Sequence, residues 1–174
     1  MNRWFIRGLL AAALLTASAI AAVVAIHQDQ DVNTRIVIQA SPAQVWGVLN
    51  DFAAYPEWNP HLRALAGQPT PNSRTRMAEI FADGGMAERD IQMKSMARDY
   101  EFIWEGDIAP LPRLLTAKRK LIMTPDPQGG ASLRHEIEFR GYLAGPLMQG
   151  LFDRYARAMQ QMNAALQRRL MKAK

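Results

Sequence analysis

The chain has 174 residues, which suffices for one ordinary domain and a short extra segment but not for two full domains. Apolar residues make up 49% of it and charged residues 21%, a balance typical of globular and not of disordered proteins. There is no cysteine, which excludes disulfides, thiolate metal sites, iron–sulfur clusters and cysteine nucleophiles. The formal charge of +5 includes Arg3 and Arg7 at the N-terminus, and the rest is too mild to indicate nucleic acid as a partner.

An uncharged segment near the N-terminus predicts a membrane signal. The 18 residues from Leu9 to Ile26 carry no charge, and Arg3 and Arg7 precede them without an acidic residue. As a helix this run reaches about 27 Å, close to the roughly 30 Å of a hydrocarbon core. We therefore predict an uncleaved signal anchor at residues 1–26, followed by a linker at 27–31. Two Ala-x-Ala sequences inside the run keep a cleaved signal peptide open, and a buried helix of the domain is a third alternative. With either signal, the domain lies outside the cytoplasm, on the periplasmic side or secreted.

Residues 32–172 are predicted to form one α+β domain. Val32–Gln39 alternates between apolar and polar side chains, which predicts a half-buried strand. Ser41–Gln44 then predicts the start of a helix, with a serine cap, a proline in the first turn and a glutamine that closes a capping box. Trp46 lies on the apolar face of this helix, and a short second helix is expected around Tyr55–Trp58.

Six further strands are predicted from residue 62 onward, separated by turns that are rich in glycine, proline and asparagine. Asp83–Gly85 predicts a tight hairpin, because glycine adopts positive φ at little cost. The predicted strands are Leu62–Ala66, Arg74–Ala82, Met86–Met96, Tyr100–Asp107, Thr116–Thr124 and Ala131–Arg140.

A long amphipathic helix is predicted at the end of the chain. Gly145 and Pro146 open it, and leucine, methionine and tyrosine side chains recur every three to four residues as far as about Lys172. Its length of roughly 40 Å matches that of a domain of this size. Because the apolar stripe must be buried, the sheet is the expected partner of this helix.

The order of strand, two short helices, six strands and long helix resembles the START-like, or SRPBCC, superfamily, and in particular bacterial members described as polyketide cyclase/dehydrase-like. Three stretches carry the resemblance: Thr34–Pro60 (TRIVIQASPAQVWGVLNDFAAYPEWNP), Arg134–Gly145 (RHEIEFRGYLAG) and Met159–Leu166. The resemblance implies a helix-grip fold, in which a seven-stranded antiparallel sheet wraps around the final helix and leaves a cavity between them. It also implies that the first strand pairs with the last.

Four polar side chains fall on the apolar, cavity-facing sides of the predicted strands: Glu79, Arg89, Arg119 and His135. A buried charge must be paired or must meet a ligand. We therefore predict them as the polar part of a ligand site, unless a bulge flips a face or Glu79 pairs structurally with an arginine. The predicted ligand-binding residues are Glu79, Arg89, Tyr100, Phe102, Trp104, Arg119, His135, Ile137 and Phe139, together with Leu111 and Leu114 at the rim.

The function that these features predict is the binding or carriage of a small hydrophobic or lipid-like molecule at the outer face of a membrane. A cyclase/dehydratase-type enzyme is the alternative, with His135, Glu79 and an arginine as its candidate catalytic groups. A protein-interaction module is the third possibility. The three histidines lie far apart in the sequence and no glycine-rich phosphate loop is present, so we expect neither a metal nor a cofactor.

Strand parity predicts that one end of the sheet forms a rim around the cavity mouth, with the turn at 83–85, the loop at 108–115 and the connection at 141–145. The pairing of the first strand with the last, which the resemblance implies, adds the start of the first strand to this end. Apolar side chains at the rim either fold inward as a lid or insert into the membrane. They are Ile108, Leu111, Leu114, Leu115, Tyr142, Leu143 and Leu147.

Overall fold

A seven-stranded antiparallel sheet and a long C-terminal helix make up most of the computed structural model, which describes residues 3–26, 29–145 and 148–172. The helices are α1 (Arg3–Ile26), α2 (Pro42–Asn50), α3 (Tyr55–Trp58) and α4 (Gln149–Lys172), with a 3₁₀ turn at Phe52–Ala54. The strands are β1 (Gln30–Ile38), β2 (Leu62–Ala64), β3 (Arg74–Ile80), β4 (Met86–Ala97), β5 (Glu101–Asp107), β6 (Thr116–Pro125) and β7 (Ala131–Arg140). Some predictions fall outside the described residues. They concern the linker residues 27 and 28, the predicted helix start at Pro146 and the rim residue Leu147.

The strand order β1-β7-β6-β5-β4-β3-β2 confirms the predicted fold class. From β2 to β7 each strand pairs antiparallel with the next along the chain, and β1 pairs antiparallel with β7, so that β1 and β2 are the edge strands. The predicted bounds of β7 agree with the structure. The prediction for β5 was wrong by one residue, because the strand begins at Glu101 and Tyr100 belongs to the preceding turn.

The predicted capping box starts α2. The hydroxyl of Ser41 accepts a hydrogen bond from the amide of Gln44 at 3.3 Å, and the side-chain oxygen of Gln44 accepts one from the amide of Ser41 at 2.8 Å. The ring of Trp46 is only partly buried, and it stacks on Phe102 of β5 with ring centroids 4.1 Å apart. This stacking contact holds α2 against the sheet.

The predicted membrane segment at residues 9–26 lies within α1. Several apolar side chains of this segment are exposed, among them Leu9, Leu10, Leu14 and Leu15. In the part of the chain that the structure describes, no helix is both long and apolar enough to cross a membrane. The membrane signal therefore stays a prediction.

The strand register places the predicted rim elements at one end of the sheet. Gln30 at the start of β1 pairs with Phe139 at the end of β7, and Arg140 pairs with Thr116 at the start of β6. The loop at 108–115 and the connection at 141–145 contact each other there, since the amide of Leu143 donates to the carbonyl of Leu114 at 2.8 Å.

The apolar rim side chains divide into two groups. Leu115 is fully buried and Ile108 packs partly against the core, as a lid would. Leu111, Tyr142 and Leu143 are exposed. The rim therefore combines an inward-folded part with an exposed part.

Two apolar clusters fill the space between the sheet and α4. The first lies against α2 and the C-terminal half of α4, and it includes Met77, Met93, Phe102, Trp104, Leu121, Met123, Met162 and Leu166. The second lies toward the rim and includes Phe81, Leu115, Ile137, Phe139, Phe152, Tyr155 and Met159. Buried polar side chains contact both clusters: the guanidinium of Arg119 lies over the ring of Trp104 at 5.7 Å, and the ring centroid of His61 lies 5.3 Å from that of Phe81.

Candidate functional site

The candidate site is a cluster of polar side chains in the core. The sheet contributes the four predicted residues, with Glu79 on β3, Arg89 on β4, Arg119 on β6 and His135 on β7. All of them except Arg89 are at most 6% exposed, so the predicted inward faces are correct. Three further side chains that the sequence analysis did not single out complete the cluster: His61 just before β2, and Tyr155 and Asn163 on α4.

Glu79 stands at the centre of the cluster between two arginines. Its Oε1 accepts a hydrogen bond from Nη2 of Arg119 at 3.1 Å. Its Oε2 accepts one from the hydroxyl of Tyr155 at 2.5 Å and lies 2.9 Å from Nε of Arg89. Arg89 in turn donates from Nη2 to the Tyr155 hydroxyl at 3.1 Å. The structural pairing of Glu79, which the sequence left open, is therefore present, and it joins three strands to α4.

Arg119 also fixes the protonation pattern of two histidines. Its Nη1 lies 3.0 Å from Nε2 of His135, and its Nη2 lies 2.8 Å from Nε2 of His61. Because a guanidinium only donates, both Nε2 atoms must accept, and both rings must carry their proton on Nδ1. In that tautomer Nδ1 of His61 donates to the carbonyl of Ile80 at 2.8 Å, and Nδ1 of His135 donates to Oδ1 of Asn163 at 3.1 Å.

Asn163 extends this chain of hydrogen bonds to the first strand. Its Oδ1 accepts from His135, so its Nδ2 is free to donate, and it does so to the hydroxyl of Thr34 on β1 at 2.7 Å. The assigned tautomer of His135 is therefore consistent along the whole chain from Arg119 to Thr34. α4 is held to the sheet by polar contacts at two points, Tyr155 and Asn163.

Burial and the neighbouring charges set the ionisation of the cluster. Desolvation, together with the charge of Arg119, lowers the pKa of His61 to about 4. Desolvation and the same charge lower the pKa of His135 well below its ordinary value, so both rings are neutral near pH 7. Desolvation would raise the pKa of Glu79, but the charges of Arg119 and Arg89 outweigh it and the pKa is lowered. Desolvation, with the charge of Glu79, raises the pKa of Tyr155, which keeps its proton.

This arrangement supplies hydrogen-bond donors and positive charge but no strong base. Both nitrogens of each histidine have partners, and despite desolvation the charges of Arg119 and Arg89 hold the pKa of Glu79 below its ordinary value, which makes this carboxylate a weak base. A general base needs an unoccupied lone pair within reach of a substrate proton. The chemistry that the cluster offers as it stands is the recognition of an acceptor group or a negative charge.

Four of the predicted apolar residues line the core around the cluster, and one does not. Phe102, Trp104, Ile137 and Phe139 are buried, as predicted. Tyr100 is 51% exposed, and its prediction as a lining residue was wrong. The chain turns tightly before β5, with Asp99 at a φ of 61° and the amide of Tyr100 bonded to the carbonyl of Ala97, so the alternation of β5 does not extend back to Tyr100.

A narrow cleft reaches the cluster. It is bordered by Glu79, Arg89, Ile91, Trp104, Gly106, Ala117, Arg119, Ile137 and Tyr155, and it has only about 10 Å³ of room, about enough for one water molecule. The predicted rim residues Leu111 and Leu114 do not border it. Leu111 is 63% exposed and Leu114 is partly buried, both on the loop at 108–115. A ligand of any size must therefore displace side chains to enter.

The three unpredicted members have no strand pattern to reveal them. His61 follows α3 in an irregular segment, so its direction could not be derived from alternation. Tyr155 fits the apolar stripe of α4, so the sequence pattern indicates an ordinary aromatic residue of the core. Asn163 carried the clearest signal, because it is an amide at a buried position of the stripe, next to Met162.

The sequence from residue 29 to residue 171 matches the family described as "Polyketide cyclase / dehydrase and lipid transport". The chain belongs to this family. No curated protein sequence matches the chain. Family and fold fit either a START-like domain that binds a hydrophobic ligand or one of the cyclase/dehydrase type.

Solved structures share the START-like, or SRPBCC, fold of this family member. A START superfamily protein from Mycobacterium smegmatis aligns with a TM-score of 0.64 at 17% identity, covering 83% of this chain and 99% of that one. Ara h 8.0201 aligns with a TM-score of 0.64 at 12% identity, again over 83% and 99%. The di-domain ARO/CYC BexL from the BE-7585A biosynthetic pathway aligns at 0.60 and 17% identity, over 94% of this chain and 57% of that one. At these identities the likeness shows the fold alone.

Proposed function

We propose that this domain binds and carries a small hydrophobic or lipid-like molecule between the sheet and α4, with the polar cluster receiving the polar end of the molecule. The observation that carries the proposal is a set of arginine donors enclosed between two apolar clusters. Ligand sites of this kind combine mostly apolar walls with a few polar groups that fix the orientation of the ligand.

Buried methionines supply the means to open the narrow cleft. Three lie on the sheet and two on α4: Met77, Met93, Met123, Met159 and Met162. A methionine side chain is unbranched and changes rotamer easily, so it can repack around an inserted apolar group. The small volume of the inner cleft is therefore compatible with ligand binding.

Acid–base catalysis has weaker support in the same geometry. A cyclase or dehydratase would need Glu79 or a histidine to accept a substrate proton. Arg119 occupies the Nε2 lone pairs of both histidines, and the lowered pKa of Glu79 makes it a weak base. An enzyme could use the cluster only after these hydrogen bonds break, whereas a binding protein uses the donors as they stand.

Methionine-methyl NMR of the whole chain tests the binding proposal. The protein is labelled with [methyl-¹³C]methionine and titrated with N-phenyl-1-naphthylamine, a neutral apolar fluorophore. We expect saturable fluorescence and shifts in the five buried methionine signals. Met86 and Met171, which are 64% and 58% exposed, serve as internal controls and should not move. Non-saturable fluorescence, or shifts confined to the exposed methionines, would contradict binding in the core.

Native mass spectrometry of the protein purified without denaturant adds an independent readout. A co-purified mass that is lost on unfolding would identify the natural ligand directly. Carriage would then be tested by following transfer of that molecule between two vesicle populations.

We also propose that residues 9–26 attach the domain to the outer side of a membrane. Support comes from the preceding arginines, from the uncharged run and from the exposed apolar side chains of α1. Carbonate extraction of the full chain should leave the protein in the membrane fraction, while a variant that begins at residue 29 should be released. Alkaline phosphatase fused to the C-terminus should be active. Extraction of the full chain by carbonate, or an inactive fusion, would contradict the location.

A further inference from the structure

We propose that the ligand has an anionic head, such as a carboxylate or a phosphate, and that this head binds Arg89 at the mouth of the narrow cleft. The inference rests on the proposed binding function and names the chemical class of molecule that the site takes. It follows from the charge balance of the cluster, from the unused donors of Arg89 and from the position of this side chain.

The cluster holds one more cation than it holds anions. In the described residues, Glu79 is the one carboxylate within ion-pair distance of either Arg89 or Arg119. Both guanidiniums stay protonated, and both histidines are acceptors of Arg119 and thus neutral. The cluster therefore carries a net charge of about +1. A buried charge without a counter-charge is costly, so the structure favours an incoming anion.

The unbalanced cation is best assigned to Arg89. Arg119 is enclosed by Glu79 and the two histidines, and its side chain is 3% exposed. The side chain of Arg89 is 11% exposed and shares Oε2 of Glu79 with the Tyr155 hydroxyl. Of the two arginines, Arg89 is thus the more accessible and the less completely neutralised.

Arg89 has N–H groups left for a ligand. One donor is used on the main-chain carbonyl of Asp107 at 3.3 Å and one on the Tyr155 hydroxyl at 3.1 Å. Its Nε lies 2.9 Å from Oε2 of Glu79, but the N–H is not directed at that oxygen and makes no hydrogen bond. A guanidinium has five N–H groups in a planar fork that matches the oxygens of a carboxylate or phosphate.

Arg89 also lies where a ligand would enter. It borders the narrow inner cleft, and it borders a surface cleft of about 440 Å³ beside the rim loop, formed with Ala87, Glu88, Asp90, Asp107, Ile108, Ala109 and Pro110. The acidic neighbours in this surface cleft have partners of their own: Asp90 pairs with Arg76, and the carboxylate of Asp107 accepts from Thr116. Glu88 is exposed on the opposite face of β4. An anionic head at Arg89 places the apolar tail of the ligand toward the core.

Chain-matched amphiphiles test the inference. Dodecanoate, dodecyl phosphate and 1-dodecanol are each used to displace N-phenyl-1-naphthylamine from the full chain at pH 7.5, with the two anions below their critical micelle concentrations and the alcohol below its solubility limit. We expect the two anions to bind at least tenfold more tightly than the alcohol. In Arg89→Gln this preference should fall to less than threefold, with the affinity for the alcohol unchanged. Arg134→Gln removes an exposed arginine of β7 that borders neither cleft, and it should keep the preference.

The outcomes separate the inference from the proposed function. Equal binding of anions and alcohol by the parent protein overturns the anionic head but leaves hydrophobic binding intact. An undiminished preference in a folded Arg89→Gln variant overturns the role of Arg89. Displacement by none of the three amphiphiles, with no saturable probe binding, overturns the proposed function and the inference with it.

A second measurement follows Arg89 in the unmutated protein and needs a variant for signal assignment only. The Nε–Hε signals of the arginines are followed in ¹⁵N spectra, and Arg89→Lys assigns the signal of interest. Dodecanoate should shift the Arg89 signal, because the Nε–H of Arg89 makes no hydrogen bond within the described residues, and dodecanol should not. Identical shifts with both compounds would overturn the proposal.

Discussion

Replacing Glu79 by glutamine removes the carboxylate that two core arginines share. Glutamine has nearly the same shape, so its amide oxygen can still accept from Arg119 while its amide nitrogen faces Arg89 and Tyr155. The change therefore removes charge with little change in volume. What remains is two guanidiniums in the core without any carboxylate within ion-pair distance among the described residues.

The expected loss of unfolding free energy is large. Breaking a buried ion pair by removing one partner costs about 3–5 kcal/mol, because the other charge stays buried and unpaired. Glu79 is 6% exposed, Arg119 2%, so solvent screens the cluster little. A domain has a total stability of about 5–15 kcal/mol. The variant should thus be folded but close to its limit, and urea unfolding at low temperature is the appropriate assay.

Glu105→Gln is the matched control. Glu105 is on the outer face of the same sheet and pairs with Lys94 at 2.6 Å, but both side chains are about 40% exposed (36% and 43%). An exposed pair of this kind contributes about 0.2–1 kcal/mol. In a background of Arg89→Met, which removes the surplus cation, the cost of Glu79→Gln should fall by about 0.5–3 kcal/mol. Equal costs for the two glutamine variants, or no coupling to Arg89, would refute the charge balance described above.

Three further predictions concern the supporting contacts. Because burial depresses the folded-state pKa values of His61 and His135, the unfolded chain binds more protons than the folded one below about pH 6.5. Stability should therefore fall as the pH is lowered from 6.5 toward 4, by up to about 1.4 kcal/mol per pH unit for each ring, and titration of the assigned His61 and His135 signals near pH 6.5 in the folded protein would contradict this. Asn163→Ala leaves Nδ1 of His135 without an acceptor and should cost about 1–3 kcal/mol in urea unfolding, whereas Gln160→Ala on the exposed side of α4 should cost less than about 0.5 kcal/mol; equal effects would show that the amide contributes nothing. Ser41→Ala removes the cap of α2 and should lower stability by about 1 kcal/mol, and an unchanged melting temperature would mean that the capping box does not contribute.

The sequence was sufficient to predict the sheet and the inward face of most of its strands. Alternation has a period of two, so once one face of a strand is buried, each side chain on that strand is assigned. That logic correctly placed Glu79, Arg119 and His135 in the core although they are polar. It failed at Tyr100. The pattern of aromatic residues predicts that β5 begins at Tyr100, but the chain reverses direction at Asp99 and the strand begins one residue later, at Glu101.

The pairing within the site could not be derived from local patterns. Tyr155 reaches Glu79 across 76 positions of the chain, and His61 reaches Arg119 across 58. Such contacts depend on the curvature of the sheet and on where α4 crosses it, which no periodicity in the sequence specifies. The size of the cleft was equally beyond prediction, since it depends on the rotamers of large side chains such as Trp104.

A buried cluster of this composition contributes little net stability, because the loss of hydration offsets most of the attraction between its charges. Under the proposed function, its energetic advantage lies in binding. Strands β3, β4 and β6 hold the acid and the two arginines in fixed positions, and the protein has already met the cost of dehydrating them on folding. A ligand acceptor group that reaches these donors therefore meets groups that need no further ordering, which is the condition under which a few polar contacts yield the most affinity.

The element that must move for the proposed ligand to enter is α4. Polar contacts hold this helix at Tyr155 and Asn163, and elsewhere it packs through adaptable side chains such as Met159 and Met162. We therefore expect the sheet to determine which head group is accepted and α4 to adjust to the size of the tail.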